Sequence, residues 1–159
     1  MIAVADTSPL CYLILIGEIE LLPKLFSRVS APQTVIAELL HDDAPDAVRG
    51  WATNLPSWLS VQQAPVGEVA GMEKLQAGEA AAILLALAVN ADIILLDEKA
   101  ARRAAADRGL RVTGTLGVLG EAASRGLVHL AAAIDRLRKT NFRCSPALLK
   151  ATLDRFGGR

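Results

Sequence analysis

Short apolar runs of four to six residues recur along this chain between stretches of helical periodicity, and the two clearest runs lead directly into a carboxylate. "IAVA" (2 to 5) runs into Asp6, and "DIILL" (92 to 96) runs into Asp97. This alternation constrains the fold more than any other feature. Parallel strands require crossover connections that are usually helical, so the pattern predicts an α/β domain built on a mainly parallel sheet. Strands are predicted at 2–5, 28–31, 92–96 and 110–113, with 59–64 a candidate edge strand. Helices are predicted at 9–16, 18–26, 33–41, 46–54, 68–75, 79–90, 98–108 and 115–125. After Gly126 the pattern turns purely helical, at 128–139 and 145–156. We therefore expect an α/β domain over 1–126 and a helical extension over 127–159 packed on the same domain.

At 159 residues, 52% hydrophobic and 21% charged, the chain has the composition of an ordinary globular domain with room for a core. Cys11 and Cys144 form no C-x-x-C pattern and no disulfide framework, which favours a reducing, cytoplasmic setting. The N-terminus has no basic start, and Asp6 interrupts its apolar stretch, so export is not expected. The most apolar region, 80 to 96, is broken by Asn90 and Asp92, so no membrane span is expected. His41 and His129 lie in no pattern suited to a zinc site or a paired-imidazole nuclease, and no phosphate-loop motif occurs. Trp51 and Trp58 are expected to pack against the core or an interface rather than stack on bases.

In open α/β sheets, ligands bind beyond the carboxyl ends of the strands. Four acids fall near that edge: Asp6 after the first strand, Asp97 after "DIILL", Glu79 at the start of "GEAAAILLALAV", and Glu38 in "PQTVIAELL". Each has an ordinary alternative. Asp6 and Asp97 suit helix capping, Glu79 suits a first helical turn, and Glu38 lies at the margin of an apolar face. Convergence would change the balance, because two carboxylates about 4 Å apart repel by roughly 4 kcal/mol at an effective dielectric near 20. Four acids gathered together call for a counter-charge, and hard divalent cations, Mg²⁺ or Mn²⁺, choose carboxylate oxygens. Such a cation lowers the pKa of water and stabilises charge developing on a phosphate under in-line attack.

At these residues the chain resembles the PIN-domain family, and within it the small VapC-like ribonuclease toxins of prokaryotic toxin–antitoxin pairs. "VADTSPL", "VIAELL", "GEAAAILLA" and "LLDEKAARRAAADRGLRVTGTLGVLGEAASRGLV" resemble the family's four acidic motifs in order, and the last is the most specific. The resemblance implies a three-layer α/β/α sandwich and metal-dependent hydrolysis of RNA phosphodiester bonds. It assigns the catalytic and metal-holding positions to Asp6, Glu38, Glu79 and Asp97. Thr7 or Ser8 is then placed to orient a metal-bound water, and Thr115 either to hold a phosphate oxygen or to serve as an ordinary helix cap. The implied partners are RNA, a small antitoxin and a second copy of the chain. Two departures stand out: Glu79 occupies a position where many relatives carry Asp, and Ala100 one where many carry a further Asp.

Net charge is zero, but residues 1 to 98 hold 4 Lys and Arg against 13 Asp and Glu, while residues 99 to 159 hold 13 against 4. The acidic part suits cations and the basic part a polyanion. Lys99, Arg102 and Arg103 share one helical face just after Asp97 and are the candidate RNA contacts, with a solvated helix face as the alternative. Two other readings remain. One is a non-catalytic PIN-like RNA-binding or regulatory protein. The other is a Mg-binding receiver-like phosphoacceptor domain, although receivers typically carry adjacent acids after the first strand, where this chain has Thr7 and Ser8.

Overall fold

The computed structural model describes residues 1–68 and 71–156. In chain order the elements are β1 (Ile2–Ala5), α1 (Thr7–Leu15), α2 (Leu21–Leu25), β2 (Arg28–Pro32), α3 (Gln33–Leu39), α4 (Asp46–Ala52) and β3 (Leu59–Gln62). They continue with α5 (Ala77–Ala88), β4 (Ile93–Leu95), α6 (Lys99–Ala106), β5 (Val112–Thr113), α7 (Thr115–Ser124), α8 (Leu130–Arg138) and α9 (Pro146–Phe156). The strands form one sheet in the order β3-β2-β1-β4-β5, and every neighbouring pair is parallel.

Central parallel strands are covered on both faces and so read as unbroken apolar runs rather than alternating ones. Ala3, Val4 and Ala5 are fully buried, as are Ile94, Leu95 and Leu96. The pleat sends alternate side chains to opposite faces. Ala3, Ala5, Ile93 and Leu95 join a core with Leu10 and Leu13 of α1, Val35 and Leu39 of α3, Leu119 of α7 and Leu137 of α8. Val4, Ile94 and Leu96 join a second core with Ile83 and Leu85 of α5 and Ala101 and Ala105 of α6. The result is a three-layer α/β/α sandwich. Truncating a buried Leu such as Leu95 to Ala removes packing from the first core at a cost of roughly 2 to 5 kcal/mol.

Register sets the site. Ala5 pairs with Leu95, so β1 and β4 end level although they are far apart in sequence. The chain continues from β1 towards β2 on one side, and β4 continues towards β5 on the other. Their junction is a topological switch point, where a crevice opens at the strand carboxyl ends.

Several predicted elements differ in extent. Helix α1 begins at Thr7, so Asp6 stands at its N-cap position, and β5 is limited to two residues. The predicted helix at 68–75 does not form over the described part. Residues 71 to 75 form turns and a bend rather than a helix, Gly71 has φ +88°, and its N–H donates to Glu73 Oε2 at 3.1 Å. Residues 69 and 70 of that prediction lie outside the described residues. Cys11 and Cys144 are both free thiols. No helix among the described residues is long and apolar enough to cross a membrane.

Candidate active site

Asp6 leaves β1 and reaches the floor of the crevice. Its N–H donates to Leu95 O at 3.1 Å, which holds the residue against the end of β4. The side chain is only 4% exposed, makes no side-chain capping bond to α1, and leaves Oδ1 buried without a hydrogen-bond partner. A buried carboxylate oxygen with no donor is costly. Burial pushes the Asp6 pKa up to about 7, and the charges of Glu79, Glu38 and Asp97 push in the same direction against the Thr7 backbone N–H, which lowers it. The other three predicted acids therefore all act on Asp6.

Asp97 does not cap α6, whose N-cap position is Glu98. It is instead fixed at the start of α7. Thr115 N–H donates to Asp97 Oδ1 at 2.7 Å, and Thr115 Oγ1 to Oδ2 at 2.8 Å. The Ser8 hydroxyl donates to the same Oδ2 at 2.8 Å. These bonds tie Asp97 to the N-terminal end of α7. Thr115 is wholly buried, and its hydroxyl is committed to Asp97. Ser8 likewise bonds Asp97.

The opposite wall comes from α3 and α5. Thr7 Oγ1 donates to Glu38 Oε1. The Glu38 carboxylate lies so close to Gly78 that a Cβ there would collide with it. Glu79 accepts the Gln76 N–H at 2.9 Å, the reach-back bond of a helix cap, so the ordinary reading of this residue holds in part. It also faces the crevice: burial raises its pKa, and Glu98 and Glu38 raise it further against the Gln76 N–H.

These side chains line a cleft of about 890 Å³. Six carboxylates face it, those of Asp6, Glu38, Asp43, Glu79, Asp97 and Glu98, against the cations Lys74 and Arg143. Among the described residues no group of three or more His, Cys, Asp or Glu forms a ready-made ligand set. The donor chemistry nevertheless fits a hard divalent cation, since the orphaned Asp6 Oδ1 faces an excess of carboxylate oxygens.

The helical extension contributes to the cleft, which periodicity did not reveal. The loop between α8 and α9 brings Asn141, Phe142 and Arg143 to the rim. Tyr12 of α1 receives it: its hydroxyl donates to Asn141 Oδ1 at 2.9 Å, and its ring meets Phe142 edge-on with centroids 5.0 Å apart. The one sequence signal for this contact is an aromatic and a cation, in "TNFRCSP", interrupting an otherwise helical tail. His41 lines the cleft but its Nδ1 accepts the Asp43 N–H at 3.1 Å, and His129 caps α8 through Nδ1. Trp51 and Trp58 pack against the first core, 6.2 Å apart.

The three basic candidates on α6 do not act as one face. Lys99 is exposed, Arg103 is exposed, and Arg102 folds back so that Nη1 donates to Leu96 O at 2.9 Å. Lys99 and Arg102 line a second groove, beyond Asp97, that Arg103 does not line.

An all-parallel sheet in this strand order, covered by helices on both faces and carrying an acidic cleft at its switch point, defines a three-layer α/β/α protein with a polar site at the carboxyl edge. The chain belongs to the PIN-domain family: the family model DUF3368, a PIN domain, matches residues 2–158. PIN domains are commonly nucleases, and those nucleases generally use divalent metals. No curated protein and no solved structure matches the chain.

Proposed function

We propose that the protein is a divalent-metal-dependent endoribonuclease of the cytoplasm, and the toxin of a toxin–antitoxin pair. The observation that carries the reading is Asp6, a buried carboxylate with an unpartnered oxygen among three other acids at the switch point of a PIN fold. Asp6, Glu79 and Asp97 would hold Mg²⁺ or Mn²⁺ directly, and Glu38 directly or through water. Once bound, the cation would supply an activated water and would stabilise the charge that builds on the scissile phosphate.

The chain's own residues do the positioning. Thr115 and Ser8 fix both oxygens of Asp97, and Thr7 fixes Glu38. A bound cation would offset the negative charge that Glu79, Glu38 and Asp97 place around Asp6. Lys99 and Arg102, which line the groove beyond Asp97, are the proposed phosphate contacts, and Arg103 is dropped from them. In-line attack of water on phosphorus leaves a 5′-phosphate and a 3′-hydroxyl. A small antitoxin, encoded next to this chain, and a second copy of the chain are the proposed protein partners.

The lack of a ready-made ligand set among the described residues favours a second reading, a non-catalytic RNA-binding PIN protein. Thermal melts and RNA cleavage with and without Mn²⁺ separate the two. Binding to the native state at a hundredfold excess over Kd stabilises by about 2.7 kcal/mol. The nuclease reading expects a higher Tm in Mn²⁺, cleavage that requires it, and loss of both in Asp6→Asn with the fold retained. A Tm indifferent to millimolar Mn²⁺ would sink the metal site.

A further inference from the structure

A second groove, of about 790 Å³, lies on the far side of Asp97 between α6, β5, α7 and α9. Its charge is the inverse of the cleft's. Among the described residues six cations line it, Lys99, Arg102, Arg111, Arg125, Arg143 and Arg155, against the carboxylates of Asp97 and Glu121. Two of the cations are engaged inside the protein, Arg102 on Leu96 O and Arg125 with Glu121 at 3.1 Å. Lys99, Arg111, Arg143 and Arg155 are exposed. The Arg111 guanidinium meets the Met1 sulfur at 3.6 Å, and that of Arg155 lies over the Phe156 ring at 4.8 Å.

The groove and the cleft are continuous, because Asp97, Phe142 and Arg143 line both. A strand whose reacting phosphate lies among six carboxylates is repelled there, and its neighbouring phosphates need cations within about a Debye length, roughly 8 Å at physiological salt. The groove's cations lie to one side of the cleft, and the half-buried Phe142 stands at the junction. An aromatic beside a basic groove is the arrangement that holds single strands without regard to sequence, by stacking a base while cations track the backbone.

We propose that this groove is the track for the single-stranded RNA leading away from the cleavage site, with Arg111 and Arg155 at its outer end and Phe142 and Arg143 at its entrance. The proposal rests on the ribonuclease reading. It also moves the binding surface off the outer face of α6, where Arg103 projects, and onto the helical extension.

The test uses the full chain and a labelled oligouridylate of about 12 nucleotides. Its binding is followed by anisotropy in Ca²⁺, without Mg²⁺ or Mn²⁺, between about 50 and 200 mM salt. Each phosphate contact to a single strand contributes about −0.7 to the slope of log K against log salt. The double variant Arg111→Ala with Arg155→Ala is expected to flatten the slope by about 1.4 and weaken binding about tenfold. Both side chains are exposed, and an unchanged Tm verifies the fold. A wild-type slope and affinity in that variant would overturn the track, even if the wild-type protein cleaves RNA in Mn²⁺. The predicted slope change with no cleavage by the wild type would support the track and remove the nuclease reading. Oligoglutamate binding that depends on Arg111 and Arg155, without RNA binding, would reassign the groove to an acidic peptide.

Discussion

Thr115 holds both oxygens of Asp97, the backbone N–H taking Oδ1 at 2.7 Å and the hydroxyl taking Oδ2 at 2.8 Å, across a sequence separation of 18. The start of α7 thereby fixes the rotamer of the acid two residues beyond β4. A hydrogen bond to a charged group is worth roughly 1.5 to 3 kcal/mol, and Thr115 is wholly buried. Thr115→Val keeps the backbone bond and removes the hydroxyl bond. We expect it to lose stability on that scale in denaturant unfolding and to lose most cleavage activity, while Thr115→Ser retains both. Wild-type stability in Thr115→Val would mean that the hydroxyl bond carries no weight.

Gly78 gives a separate handle on Glu38. A methyl group at this position occupies the space of the Glu38 carboxylate, the mobile end of a flexible side chain. Gly78→Ala should therefore displace Glu38 from Thr7 with little cost to the fold. The expected result is a near-normal Tm in EDTA and a reduced Tm gain in Mn²⁺. An undiminished Mn²⁺ response would remove Glu38 from the metal shell.

Glu79 combines a cap and a charge, and Glu79→Gln separates them. The amide oxygen can still accept the Gln76 N–H, so stability should change by no more than the helix-dipole contribution, roughly 0.3 to 1 kcal/mol. Activity should fall severely. Cleavage at the wild-type rate would leave Glu79 as a capping residue alone.

The pH dependence of stability in EDTA should report Asp6. Its folded pKa of about 7 lies above the model-compound value of 3.8, so the folded state binds the extra proton. The resulting stability is fully present below pH 3.8, falls as pH rises between 3.8 and about 7, and is gone above it. A shift of that size corresponds to at most roughly 4 kcal/mol. Asp6→Asn should flatten this part of the profile and be the more stable protein at pH 8. Parallel profiles for wild type and variant, from urea melts across the range, would show that Asp6 is not the group that titrates.

The strands and most helices were legible because their signals are local. Ala3, Val4, Ala5 and Ile93 to Leu95 form unbroken apolar runs, as strands buried on both faces must, and the helices repeat at their own period. The predicted helix at 68–75 fails over residues 71 to 75 for a local reason too, since Gly71 takes a left-handed conformation that a helix does not contain. Asp6 and Asp97 were visible as acids at strand ends and Glu38 and Glu79 as acids on helices near the same edge, and the resemblance of the surrounding motifs assigned all four to a metal site.

Only the tertiary structure decided what those acids meet. The pairing of Ala5 with Leu95 makes Asp6 and Asp97 neighbours, and Ser8 reaches Asp97 over 89 positions. Tyr12 reaches Asn141 over 129 positions and so brings Phe142 and Arg143 to the cleft. On α6 the helical wheel groups Arg102 with Arg103, but the Leu96 carbonyl draws Arg102 to the second groove and leaves Arg103 outside it. Periodicity records which face of an element is buried. It carries no information about which distant backbone carbonyl, hydroxyl or ring will stand opposite, because that depends on strand order and on how the chain returns.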